Sequence, residues 1–251
     1  MNDIKRKVFK AGDLQGYVQF NPGRKSSTTA NVTPQEIEKR KCFLCKDNRP
    51  ADQPYIDILP EWELLENPFP IFPQHKTIVS KSHICQHLDP EVGNKLAQLL
   101  PEYAVFYNDP GAGASAPDHA HYQAVPRHFL PLINLLESEW PEKDIEINSL
   151  LSQKFSLPFK IIAGTYHEPF TLNLPSPLNA FFWKAGTGKV RYVIIPRKAH
   201  RPDMYFLPPP LRRAFSPGAI DMAGVLVTPF EEDFKAVTED EIIEIYRQVG
   251  T

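Results

Sequence analysis

The basic start Met1-Asn2-Asp3-Ile4-Lys5-Arg6-Lys7 is followed by no apolar run, so neither a secretory signal nor a transmembrane segment is expected, and a cytoplasmic protein is. Charge of one sign is equally scarce. Lys and Arg number 28 against 30 Asp and Glu, leaving a net charge of −2 and a pI near 6.5. Broad binding to nucleic acid or an anionic membrane needs concentrated positive charge, which this balance excludes. Cysteine is nearly missing: three residues make no disulfide framework in a reducing compartment. There is no second CxxC and no basic aromatic surface, which sets aside a zinc-ribbon nucleic-acid binder. What is present is 42% hydrophobic residues in a chain of 251, enough for one large domain or two small ones. Proline is abundant at 26, against a usual frequency of roughly 5%. Its clusters at 68–73 and 208–210 predict long ordered loops around short strands.

The most informative stretch is His119-Ala120-His121-Tyr122-Gln123, entered through Asn108-Asp109-Pro110-Gly111-Ala112-Gly113-Ala114-Ser115-Ala116-Pro117. With the period of two of a β-strand, His119, His121 and Gln123 share one face. The small, glycine-rich loop lets backbone N–H groups approach an anion closely. A neutral imidazole can attack phosphorus near pH 7. A neighbouring amide can donate to the phosphoryl oxygens without titrating. The pattern reads as a nucleophile facing a phosphate cradle; the alternative is an ordinary amphipathic strand.

Cys42-Phe43-Leu44-Cys45 has the spacing that lets two sulfurs hold one tetrahedral ion, after a predicted helix over 34–40. His83, ending an apolar strand over 77–82, and His119 are the best candidates for the other two ligands. Zinc held this way would be structural, fixing the start of the motif strand. Rival readings are a thioredoxin-like redox pair, whose helix-N-terminal context this loop lacks, and unligated thiols. Cys85 reads as a buried small hydrophobe or a substitute ligand. His75, His87, His128 and His167 read as loop or surface residues.

Taken in order, Cys42-Phe43-Leu44-Cys45, Asn67-Pro68-Phe69-Pro70, Lys81-Ser82-His83 and the run from Asn108 to Gln123 resemble the galactose-1-phosphate uridylyltransferases and related nucleotidyltransferases of the histidine-triad superfamily, including the diadenosine-polyphosphate and GDP-sugar phosphorylases. The match runs over roughly residues 14 to 127. The resemblance implies an α+β fold, a histidine-triad-like antiparallel sheet with flanking helices, built as two fused repeats with the second degenerate. It implies His121 as the nucleophile that becomes nucleotidylated and Gln123 as its transition-state partner. Cys42, Cys45, His83 and His119 would ligate zinc, Asn108 and Ser115 would contact phosphate, and Asn67 and Phe69 would form part of the nucleotide pocket. Arg24 and Lys25, after the strand 17–20, match the phosphate-facing segment of the phosphorylase branch. A dimer is implied as well. One residue more than the family pattern separates Ser115 from the histidines. The C-terminal hexose-phosphate and second-metal histidines of the uridylyltransferases are missing, so galactose-1-phosphate is not the expected substrate.

Beyond Pro131 a helix is predicted over 132–139 and strands over 159–162, 178–183, 190–195 and 225–227. Pro196-Arg197-Lys198-Ala199-His200 echoes 79–83 as a strand ending in a basic residue and a histidine. Arg197, Lys198 and Arg201, with His200, place positive charge where a polyphosphate or sugar phosphate needs it, the alternative being solvated strand-end charges. Ser216 to Gly224 resembles a segment of the phosphorylase branch, or is a plain helix N-terminus. A helix over 238–248 opens with the capping box of Thr238 and Glu241 and serves packing. The expected organisation is a catalytic repeat with the zinc site over 1–140 and a degenerate repeat over 141–251 that completes the substrate pocket. The expected activity is nucleotidyl transfer from a nucleoside diphosphate-sugar or dinucleoside polyphosphate to a phosphate-type acceptor. Hydrolysis by the same superfamily chemistry and non-catalytic nucleotide binding are the alternatives.

Overall fold

The apolar runs of this chain become strands, the central ones buried on both faces. In the computed structural model, which describes residues 4–140 and 153–251, eight of them form one antiparallel sheet. They are β3 (Tyr55–Leu59), β4 (Trp62–Glu66), β5 (Lys76–Ser80), β6 (Tyr103–Asn108), β7 (His121–Pro126), β8 (Ile162–Thr165), β9 (Leu178–Lys184) and β10 (Val190–Pro196), in the spatial order β3-β4-β5-β7-β6-β9-β10-β8. A second sheet has the order β1-β2-β11, with β1 (Lys5–Ala11) antiparallel and β11 (Val225–Thr228) parallel to β2 (Leu14–Phe20).

Alternation along the central strands divides the core in two. Phe106, Phe181 and Val193 point to one side and pack with Phe9, Leu14 and Val225 of the small sheet. Val105, Tyr107, Phe182 and Tyr192 point to the other and pack with Leu96 and Ala97 of the helix Pro90–Leu99. Each such fully buried side chain contributes about 1.5–3 kcal/mol of transfer free energy. That helix starts where Asp89 accepts the N–H groups of Glu91 and Val92, and it approaches the sheet closely at Gly93, where a Cβ would lie 2.7 Å from the Phe182 ring.

The α+β class, the antiparallel sheet and the flanking helices stand as the sequence implied. The helices lie at Pro34–Lys39, Pro131–Ser138 and Glu239–Val249, the last with its capping box closed by Thr238 and Glu241. The strand expected over 159–162 is displaced to β8. Phe159 and Ile161 are buried, but Lys160 N–H bonds the carbonyl of Thr251, so this stretch is tied to Thr251 rather than to a ladder. The repeat boundary expected at 140/141 adjoins residues outside those described. Strands from before and after it share the large sheet, where β6 pairs with β9. Among the described residues no helix is long and apolar enough to cross a membrane.

Candidate active site

Sequence neighbours Cys42 and Cys45 sit on a loop that the fold pins at several points. Arg49 Nη1 lies 2.7 Å from Glu63 in a buried pair on β4, Arg49 Nε donates to Leu44 O, and Arg40 pairs with Asp118 just before His119. Cys42, Cys45, His83 and His119 each offer one ligand atom, all within 4.8 Å of one another. Cys42 Sγ is 3.3 Å and Cys45 Sγ 3.6 Å from His119 Nδ1, Cys45 Sγ is 3.2 Å from His83 Nδ1, and the two Nδ1 atoms are 3.3 Å apart. An ion with metal–S near 2.3 Å and metal–N near 2.0 Å places tetrahedral S and N about 3.5 Å apart and two N atoms about 3.3 Å apart. The donor set fits such an ion. His119 Nε2–H donates to Ser80 O at 2.8 Å, which leaves Nδ1 as a lone pair and supplies the orienting contact that metal-ligating histidines need. Cys85 lies outside the cluster and is exposed, not buried as the sequence suggested.

His119 precedes β7, and His121 opens it. His121 is buried, 4% exposed. Its Nδ1–H donates to the carbonyl of His119 at 2.8 Å, so Nε2 carries the free lone pair. Burial pushes its pKa down to about 4 despite that hydrogen bond, and the ring is neutral at pH 7. Its main chain is held by a side chain that sequence reading missed: Gln86 Oε1 accepts the N–H of His121 at 2.7 Å, while Gln86 Nε2 donates to His121 O at 3.0 Å and to Asn108 O at 2.9 Å.

Gln123, on the same face of β7, reaches the cavity that the two sheets enclose with the segments 24–32 and 200–221. Its amide is oriented from behind. The N–H of Ile71 bonds His75 Nδ1 at 3.2 Å, so His75 Nε2 carries the proton and donates to Gln123 Oε1 at 2.9 Å. Gln123 therefore presents its NH2 as the remaining hydrogen-bonding group. His75, expected on a loop or surface, is 1% exposed. Burial, reinforced by the charge of Arg24, drives its pKa down to about 3, which keeps it neutral and fixes that polarity.

Of the residues expected to bind phosphate, Arg24, Asn108, Ser115, His200 and Arg201 line this cavity, together with the expected catalytic partner Gln123. His121 does not. Asn108 is also a structural joint, its Oδ1 accepting from Asn179 Nδ2 and Ala219 N–H. In the glycine loop the N–H groups of Gly111, Ala112 and Ala114 bond back to Asp109. Among the described residues, those of Gly113 and Ser115 have no partner. Gly113, at φ +99°, packs where a Cβ would lie 2.7 Å from Gly218 Cα, so glycine is required there.

The second half supplies the opposite wall. Arg201 Nε donates to Ser216 Oγ, and its Nη2 holds the carbonyls of Thr28 and Ala30. Ser216 in turn donates to His200 Nε2 at 2.9 Å. Burial, with Arg201 and Arg197 nearby, lowers His200 to about 4, and burial raises Asp221, which accepts from Val227 and Gly218 N–H, to about 6. Among the described residues neither Arg24 nor Arg201 has a carboxylate within ion-pair distance.

The remaining expected contacts lie elsewhere. Arg197 is 3% exposed and turned inward, donating to Asn179 and to the carbonyls of Val249, Ala199, His200 and Pro217. It is a structural tie, not a free cation. Lys198 is exposed and reaches Arg247 O; Lys25 is exposed near the Phe230 ring. Asn67 closes a turn with Phe69 N–H and bonds Thr77, while Phe69 is 49% exposed and its carbonyl accepts from Arg24.

The same fold occurs in solved structures. Yeast Ap4A phosphorylase Apa2 superposes with a TM-score of 0.64 at 17% identity, covering 99% of this chain and 89% of that one. Its complex with AMP gives 0.62 at 20% identity over 98% and 88%, and its complex with Ap4A 0.60 at 17% identity over 98% and 89%. The fold is thus the histidine-triad-like one that the motifs resembled. No curated protein matches the chain in sequence. Residues 1–126 match the family described as "Domain of unknown function (DUF4922)", and this protein belongs to that family.

Proposed function

We propose that the protein is a nucleotidyltransferase of the phosphorylase kind, which moves a nucleoside monophosphate from a nucleoside diphosphate-sugar or dinucleoside polyphosphate to a phosphate-type acceptor through His121. The observation that carries this reading is the pairing on β7 of a neutral imidazole, its Nε2 free, with an amide whose donor side is turned to the cavity by His75. In the first step Nε2 attacks the α-phosphorus, an N–P bond forms, and the P–O bond to the leaving group breaks with its electron pair on the departing oxygen. In the second step an ionised acceptor oxygen attacks phosphorus, and the N–P electrons return to the imidazole. Gln123 Nε2 and the N–H groups of Gly113 and Ser115 would donate to the non-bridging oxygens. Arg24 and Arg201 would balance the charge of the phosphates, with Asn108 shaping the wall between them. Glutamine does not shuttle protons at pH 7, so an acceptor that is already ionised is favoured over water. Zinc, held by Cys42, Cys45, His83 and His119, would be structural and would fix the entry to β7. A neighbour of the same fold is an Ap4A phosphorylase that has been solved with AMP and with Ap4A, which supports a nucleotide substrate.

Intact-protein mass spectrometry after brief incubation with nucleoside diphosphate-sugars and dinucleoside polyphosphates tests the reading. The expected result is an acid-labile adduct of one nucleoside monophosphate, absent in His121→Ala. Release of free monophosphate without any acceptor would convert the reading to a hydrolase. No adduct from any donor, with the protein folded and the metal bound, would overturn it in favour of nucleotide binding alone.

A further inference from the structure

The ladder between β6 and β7 opens where the imidazole stands. Their register runs from Tyr103 opposite Pro126 to Phe106 opposite Gln123, and its continuation would set Asn108 opposite His121. The two residues do not pair. Gln86, from the segment between β5 and the helix Pro90–Leu99, inserts its carboxamide there. It accepts from His121 N–H and donates to His121 O, as the peptide groups of a neighbouring strand would, and the same nitrogen also donates to Asn108 O. Gln86 is itself buried, 6% exposed, and its own N–H is tied to the carbonyl of Pro117. Ala120 N–H bonds Ile84 O two residues earlier. The strands can therefore part, with β6 ending on the cavity wall at Asn108 and the loop 109–118 turning away, while no buried peptide group of His121 is left unsatisfied.

We propose that Gln86 is a positioning residue for nucleotidyl transfer. It acts as a side-chain substitute for a strand partner, holding the His121 main chain so that Nδ1–H meets the carbonyl of His119 and Nε2 is aimed at phosphorus. A misplacement of about 1 Å costs about 100-fold in rate, so the role belongs to the reaction and not only to the fold. The inference rests on the nucleotidyl-histidine reading for its kinetic consequence, whereas its structural part stands without it.

The test uses the full chain with its metal and the donor that labels the wild type. Gln86→Leu keeps the volume and removes all three hydrogen bonds. It should slow adduct formation by about 100-fold while changing the donor Kd by less than about 3-fold. Gln86→Glu should be slow at pH 8, where the carboxylate cannot donate to either carbonyl. It should recover at least about 10-fold as pH falls and the side chain regains one proton to donate, a recovery that the leucine variant does not show. Histidine side-chain NMR should show one His121 tautomer in the wild type and exchange broadening in both variants at pH 8. Adduct formation within about 3-fold of wild type in a folded Gln86→Leu, or in Gln86→Glu at pH 8 should the leucine variant fail to fold, overturns the proposal. If the wild type forms no adduct but the NMR difference appears, transfer is refuted and the positioning of His121 stands. If the adduct forms and the His121 signals are the same in all three proteins, the positioning role is refuted and transfer stands.

Discussion

His75 is a neutral group that the fold cannot easily charge, and replacing it with leucine should reshape the dependence of stability on pH. The unfolded chain takes up the His75 proton near its ordinary value of 6.5, the folded chain only near 3. Acid therefore favours unfolding across that window: the stability contributed by the neutral imidazole is complete above pH 6.5 and is lost as pH falls toward 3. At pH 5 this one group gives a slope of about 1.3 kcal/mol per pH unit, and between pH 7 and pH 4 the loss accumulates to about 3 kcal/mol. His75→Leu removes that slope but leaves Ile71 N–H buried without its acceptor, at a cost of about 1–3 kcal/mol that does not vary with pH. The variant should be the less stable protein at pH 7 and should equal or exceed the wild type by pH 4. Urea unfolding followed by tryptophan fluorescence at pH 4, 5, 6 and 7 measures both curves. Any metal loss on acidification affects both proteins alike and drops out of the difference. Two curves that stay parallel from pH 7 to pH 4 refute the buried neutral imidazole.

Two further outcomes follow from the site. Chelation of the zinc proposed to sit among Cys42, Cys45, His83 and His119 should remove about 4 kcal/mol if free metal stands about 1,000-fold above its Kd, read as a fall in Tm of roughly 8–16 °C for a chain of this size, and readdition of zinc should restore it; an unchanged Tm in a protein shown to carry zinc would refute a structural role. The two buried-side arginines should part company: Arg197→Met, which deprives five internal acceptors, should cost about 3 kcal/mol in urea unfolding, whereas Arg24→Gln should leave stability within about 0.5 kcal/mol and weaken nucleotide binding by about 10-fold in calorimetry, and equal effects of the two on stability would refute the distinction.

Much of this site could be read from the chain because its chemistry is local. Cys42 and Cys45 have two residues between them, His121 and Gln123 alternate on one strand with His119 two residues before it, and Gly113 marks a left-handed turn, so each pattern carries its geometry with it. Gln86 and His75 were invisible for the opposite reason. Each acts through a single side-chain amide or imidazole on a partner more than thirty residues away, and no spacing announces such a contact. Arg197 misled because a cation at a strand end is ordinarily solvated or ligand-facing. Here the last residues of the chain cover it, and the carbonyl of Val249 becomes one of its acceptors. Arg24 and Arg201 were each legible as basic residues, but not their meeting across the cavity, which depends on how the segment after β2 is strapped to the end of β10 by Thr28 and Ala30.

The parallel pairing of β11 with β2 carries a consequence for how the protein is made. Residues 17–20 are synthesised 208 residues ahead of their ladder partners 225–228, so β2 waits with one edge open while the stretch between them is translated. The segment 1–126 contains all four candidate metal ligands together with His121, Gln123 and Gln86, yet the wall formed by His200, Arg201, Ser216 and Asp221 is still unmade. A nascent chain thus has the whole candidate donor set before it has the far wall of the cavity, and the exposed edge of β2 is then the surface most in need of protection from pairing with another chain.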